Sequence, residues 1–311
     1  MSVSIALMTR GVVRGIHVAA SLSVFGTAAS RTFILRKTPG QVGSDASPRV
    51  ARSLTWLIRA SLAIAIVAGS GWLVLEAIYI ADTNRITRGL AILVPVIEDT
   101  NFGHILITRL TLLSLAVIAF GNGRNRGRAA LATGLAAIAT ALQAGLGHGA
   151  AMGGTEGAIL LASLTIHLVA AGLWLGGLTP LLIALKSIPS ADAYQTVRRF
   201  SALGAVCVVA LILTAAVQMW FLAGGLSGLV GTAYGRVATA KLAFFAVLLG
   251  IAAANCFLFT PALVGPDGGV ARSRLCRSII AETLIGLIVI ILAGILLELP
   301  PGMDLAMAAK T

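Results

Sequence analysis

The residues of this chain able to hold a metal ion are few and unevenly placed. Its four histidines are His17, His104, His148 and His167; Met152 shares a glycine-rich loop with His148, and Met219 follows later in the chain. Imidazole and thioether together form a soft to borderline donor set, suited to copper in either oxidation state and poor for magnesium or calcium. A second set combines one carboxylate with two cations, Glu76 with Arg109 and Lys241. A third comprises Cys207, Cys256 and Cys276 with Asn255 and Glu282. These cysteines are too few and too scattered for a disulfide framework, and none forms a CxxC pair. Their thiolates are the donors that reduced copper prefers, which makes them candidates for a cytoplasmic handover site; small packing residues are the alternative.

The elements that position these residues follow from composition. Of 311 residues, 58% are hydrophobic and 11% charged, whereas a soluble globular chain carries about 25% charged residues. Apolar stretches long enough to cross about 30 Å of hydrocarbon recur along the whole length, at about 11–33, 54–80, 103–120, 129–146, 158–185, 201–223, 236–259 and 278–298. They must be helices, because lipid offers no partner for backbone N–H and C=O groups and the runs are too long for barrel strands. The expected fold is therefore an all-α polytopic membrane protein with eight transmembrane helices. The net charge of +12 sits in short clusters between apolar runs; orientation in a lipid bilayer accounts for it, and a nucleic-acid partner is not expected.

Positive charge falls on alternate connections: Arg31/Arg36/Lys37/Arg49/Arg52, Arg124/Arg126/Arg128, Lys186/Arg198/Arg199 and Arg272/Arg274/Arg277. Those four are expected in the cytoplasm and both termini outside. A cleavable signal peptide is the competing reading of the first run, since Gly26-Thr27-Ala28-Ala29-Ser30 has the small residues a cleavage site wants. The charge after that run (Arg31, Arg36, Lys37) outweighs the charge before it (Arg10, Arg14), the wrong polarity for a signal sequence. The connection 81–102 contains Ile92, Leu93, Val96 and Ile97 and could lie along the membrane surface, although Pro95 argues against one continuous helix.

Placed by depth at about 1.5 Å per helical residue, all four histidines fall in the outer half, and the cysteines, Asn255 and Glu282 in the inner half. Each histidine is either a metal ligand or a hydrogen-bonded packing residue, and intramembrane polar groups are costly enough to favour function. Glu76, Arg109 and Lys241 have similar expected depths, so an ion pair between Glu76 and either cation is expected. Glu282 needs to be neutral or to find a cation, such as a neighbouring loop arginine. His167 and Trp174 are seven residues apart and share a helix face, with Gly176 and Gly177 permitting close helix approach. Trp174 could then wall a cavity below His167. The tail pair Met303 and Met307 reads as part of a disordered terminus.

Two stretches repeat. Thr100-Asn101-Phe102-Gly103 followed by Arg109-Leu110 matches Thr232-Ala233-Tyr234-Gly235 followed by Lys241-Leu242, and His17 to Gly26 parallels His167 to Gly176. A shift of four spans preserves direction across the membrane, so the chain reads as two four-helix halves of the same orientation, 1–150 and 151–311.

These residues carry a resemblance to the CopD family of bacterial inner-membrane copper proteins. It runs through His167-Leu-Val-Ala-Ala-Gly-Leu-Trp174-Leu-Gly176-Gly177-Leu-Thr-Pro180, Arg199-Phe200-Ser201, Tyr234-Gly235-Arg236 with Lys241, Glu282 and Leu299-Pro300-Pro301, and less distinctively through His17 and the Phe102-Gly103 to Arg109 element. The resemblance implies copper handling beside a separate periplasmic CopC-like copper-binding protein, with direction left open between uptake and resistance. The short loops hold no Walker motif or phosphorylation domain, so neither catalysis nor ATP-driven pumping is expected. The expected route takes copper from His148, Met152 and His104 at the outer face to a buried site of His17 and His167 between the halves, with Trp174, Met219 and Glu282 as accessories. Two alternatives remain: a cytochrome in which His17 and His167 ligate haem b, and a docking protein with no transport of its own.

Overall fold

The computed structural model describes residues 5–35, 48–83, 85–121, 125–147, 152–188, 190–223 and 231–301. Among these residues, eight helices are long and apolar enough to cross a membrane. They are α1 (Ile5–Ala29), α2 (Pro48–Ile80), α3 (Asn101–Phe120), α4 (Arg126–Leu142), α5 (Gly154–Leu185), α6 (Ser190–Leu222), α7 (Ala233–Ala254) and α8 (Gly268–Leu296). Each span predicted from the sequence corresponds to one of them. The helices overrun their apolar runs at several ends, because charged and small residues continue a helix once it reaches the headgroups; α1 begins at Ile5 and α2 at Pro48. A π-helical turn extends α1 over Ser30–Ile34, and another extends α7 over Asn255–Phe259. The connection between α2 and α3 forms two short helices, Ile86–Ala91 and Leu93–Asp99, that pack on α2 and α3 respectively. Outer and inner here denote the sides expected from the loop charges.

The matching Thr-x-x-Gly stretches are helix N-caps. The Thr100 hydroxyl accepts from the Gly103 N–H at 3.0 Å, and the Thr232 hydroxyl from the Gly235 N–H at 2.9 Å, which satisfies an amide that the first helical turn leaves free.

Helices α1 and α5 form the centre. They touch backbone to backbone at Gly26 and Gly176: a Cβ on Gly26 would lie 2.1 Å from the Gly176 carbonyl carbon, and one on Gly176 would lie 2.1 Å from the Leu22 oxygen. In lipid, where no hydrophobic force drives helices together, such close approach recovers dispersion contact. Helix α1 also packs against α2, α4 and α8, and α5 against α4, α6 and α8; α3 packs on α4 and α7 on α8. The pairings α1 with α2, α1 with α4 and α3 with α4 thus recur as α5 with α6, α5 with α8 and α7 with α8. One contact does not recur: α2 packs on α3, whereas among the described residues α6 and α7 have no comparable contact.

Candidate metal centre and the cavities beside it

His17 lies in the first half, fully buried on α1. Its Nδ1 is 2.8 Å from the Ala65 carbonyl on α2, and its Nε2 is 3.0 Å from the Arg109 guanidinium on α3. A carbonyl only accepts and a guanidinium only donates, so Nδ1 carries the proton and Nε2 accepts from Arg109. Arg109, 1% exposed, also donates to the Ala139 carbonyl on α4 at 2.9 Å. The Trp72 ring lies 5.9 Å from the His17 ring and 4.8 Å from the Arg14 guanidinium. Both imidazole nitrogens are therefore spent on protein partners, and His17 ties three neighbouring helices to α1.

His167 has a different environment. Its Nδ1 is 2.8 Å from the Thr214 hydroxyl on α6, and that hydroxyl donates its own proton to the Ala210 carbonyl at 2.6 Å. Thr214 must then accept the Nδ1 proton, which leaves the Nε2 lone pair free. This is how metal-binding imidazoles are commonly oriented, with the far nitrogen donating to a fixed acceptor. Among the described residues Nε2 has no hydrogen-bond partner, and His167 lines a cavity of about 170 Å³.

That outer cavity lies where α6 and α7 diverge. Met219, Gln218, Lys241 and Tyr234 line it together with Trp174 on its inner side and Arg14 and Gln143 from the first half. Its polar groups are only partly satisfied: Gln143, 4% exposed, has neither amide atom hydrogen-bonded, and Arg14 Nε and Gln218 Nε2 also lack partners. Buried polar atoms of this kind call for water or a ligand. Lys241 makes no hydrogen bond or ion pair among the described residues. Arg14 is balanced by Glu298 at 3.4 Å and donates to the Leu146 carbonyl at 2.5 Å.

An inner cavity of about 310 Å³ continues below Trp174, which lines both spaces. Asn255, Cys256, Ser201, Phe200 and Glu282 are among its lining residues. Glu282 is 2% exposed and accepts from Asn255 Nδ2 at 2.8 Å.

The structure thus gathers His167, Met219, Lys241 and Trp174, and separately Trp174, Cys256 and Glu282. Several expectations are corrected. Glu76 pairs with Arg10 at 3.8 Å and not with Arg109 or Lys241, because it lies eleven residues, about 16 Å of helix, beyond Ala65, the α2 residue level with His17. Arg10 also pairs with Glu298. Glu282 meets an amide and not a loop arginine; Arg272, ten residues before it, is engaged by the Leu185 carbonyl. His17 does not line the His167 cavity and has no free nitrogen, so the two do not form a joint copper or haem site. His104 is exposed on α3 and lines neither of these two cavities, and Met152 packs in the apolar cluster of Leu160, Leu222 and Tyr234. Cys207 is buried in an apolar cluster against which Cys276 packs, and neither lines the cavity of Cys256. Among the described residues no three His, Cys, Asp or Glu side chains converge in a metal-binding group. His148, Met303 and Met307 lie outside the described residues.

Sequence reasoning overlooked Thr214, Gln143 and Gln218, whose signal is a polar residue within an apolar run, and it read Arg10 and Arg14 only as topology charges.

Two family models match the chain. Residues 6–158 match the copper resistance protein D-like N-terminal domain, and residues 194–296 match copper resistance protein D. The chain belongs to the copper resistance protein D family. It is 31% identical over 152 residues to copper resistance protein D of Pseudomonas syringae pv. tomato, a match covering 47% of this chain and 49% of that protein. It is 30% identical over 139 residues to copper transport protein CutJ of Bacillus subtilis, covering 43% of this chain and 24% of that protein. Inner membrane protein YebZ of Escherichia coli is 28% identical over 207 residues, 65% of this chain and 70% of its own length. The chain thus spans about half or less of the first two relatives. No solved structure matches.

Proposed function

We propose that this chain carries copper across the bacterial inner membrane, with both termini in the periplasm and two four-helix halves that diverged from one repeat. Copper is received at the outer face from a CopC-like periplasmic protein, with His148 and Met152 as first contacts, and enters the cavity of His167 and Met219; inward movement is the favoured direction. The observation that carries this reading is the free Nε2 of His167, held by Thr214 and opening into a cavity whose amides lack partners. The family supports the choice of metal.

The donor set suits passage better than storage. One imidazole and one thioether bind copper, while the Lys241 ammonium in the same cavity raises the energy of a resident cation. A conducting site must bind weakly enough to release. The first-half knot of His17 and Arg109 keeps the corresponding space closed and makes that half the scaffold.

Metal analysis of the purified protein, wild type beside His167→Ala and His17→Ala, tests the assignment. Copper lost in His167→Ala and kept in a folded His17→Ala protein is the expected result. Equal copper in wild type and His167→Ala would overturn it.

A further inference from the structure

Glu282 is nearly fully enclosed, at 2% exposure, and among the described residues no lysine or arginine lines its cavity. The groups facing it are Asn255 and Cys256 from the π-helical turn after α7, Ser201 from α6 and Trp174 from α5, whose indole N–H is a second donor to the carboxyl beside Asn255. Cys256 is the other titratable residue of that lining; His167 and Lys241 line the outer cavity on the far side of Trp174. An ionised carboxylate in such a place lacks a compensating charge, a state that membrane interiors penalise heavily. The amide beside it is half-used: Asn255 Nδ2 donates to Glu282 Oε2 at 2.8 Å, while Asn255 Oδ1 is buried with no partner. A neutral carboxylic acid supplies what is missing, an O–H donor for that oxygen.

We propose that Glu282 is a proton-binding site that exchanges its proton against the transported copper ion. This rests on the copper-transport reading. With the inner cavity empty of cargo, Glu282 is a neutral acid, its O–H serving the Asn255 carbonyl and its carbonyl oxygen accepting from Asn255 Nδ2. When a copper cation passes Trp174 into the cavity, the Glu282 O–H bond breaks, the electron pair stays on the carboxylate, and the proton leaves to water. The carboxylate then offsets the positive charge that has entered. The proton is released to the outer side from which copper came, and when copper departs to the inner side a proton from inner-side water returns to the same oxygen, so the transport cycle closes with copper and proton moving in opposite directions. No oxidant or reductant is required.

Two measurements separate this proposal from the transport reading. Infrared difference spectra of the purified protein with Glu282→Gln, which keeps the shape of the neutral acid, test the proton directly. A protonated-carboxyl C=O band present in wild type, lost in the variant and abolished by alkali is expected; its absence from wild type overturns the proposal. Proteoliposomes enclosing a pH-sensitive dye then receive a copper gradient, supplied as Cu(II) or as Cu(I) under ascorbate. Wild type is expected to move protons against copper, and Glu282→Gln to lose copper-driven proton movement while still binding copper at the His167 cavity, which shows that it is folded. Proton movement unchanged in Glu282→Gln overturns the exchange. A wild-type protein that moves no copper overturns the transport reading, and the infrared band still decides the proton site.

Discussion

Arg109 donates to Nε2 of His17 at 3.0 Å, and by doing so removes that nitrogen from any other use. His167 and Lys241, in the sequence stretches that match those of His17 and Arg109, both border a cavity and among the described residues are not joined by such a bond. The difference follows from the helices around them: α2 closes on α3, and among the described residues α6 stays apart from α7.

His17→Ala is therefore expected to act on stability. It leaves Arg109 and the Ala65 carbonyl each short of a buried partner, a cost of about 1–3 kcal/mol. Thermal unfolding in detergent should show the loss, with copper content per folded molecule unchanged.

Thr214→Val removes the acceptor that holds the His167 Nδ1 proton. Copper affinity is expected to fall roughly 10- to 100-fold, the usual effect of losing such a partner, with little change in unfolding temperature. Competition with a chromogenic copper chelator measures it. An unchanged affinity would mean that His167 is not a ligand.

Trp174 is the side chain shared by the two cavities. Trp174→Ala should join them into one continuous space. Proteoliposomes bearing this variant should pass copper faster than wild type and without accompanying proton movement; Trp174→Phe, which restores bulk, should recover most of the barrier.

Glu298 meets both Arg10 and Arg14, and its side chain is 4% exposed. Glu298→Ala leaves the buried Arg14 without a carboxylate and Arg10 with only Glu76, and should cost about 3–5 kcal/mol. Glu76 is more exposed and stands 3.8 Å from Arg10, so Glu76→Ala should cost about 1 kcal/mol or less. Limited proteolysis of the two variants side by side would rank them.

The eight helices were legible because apolar length alone demands them, and His167, Trp174 and Met219 were legible by residue type. Their partners were not. Counting depth from the outer ends treats those ends as level; α2 ends at Ile80 as expected and α3 begins at Asn101, but the two ends are not flush, so Glu76 lies well outside the level of Arg109. The sequence also treats His17 and His167 as equivalents, since the stretches around them match. What separates them is the spacing between neighbouring helices, which no local motif records. Gln143 and Gln218 escaped notice because a lone amide in an apolar run looks like noise until a cavity is seen beside it.

The contact between Arg14 and Glu298 joins residues 284 positions apart in sequence. During synthesis the first helix must enter the bilayer with Arg10 and Arg14 long before Glu298 has been made. Until Glu298 follows, Arg14 has no carboxylate to meet and Arg10 has only Glu76, so the two guanidinium groups have to be kept wet at the headgroups or shielded by an insertion factor. The segment that follows α8 thus latches assembly: a chain stopped before Glu298 keeps an uncompensated Arg14 charge at the membrane edge.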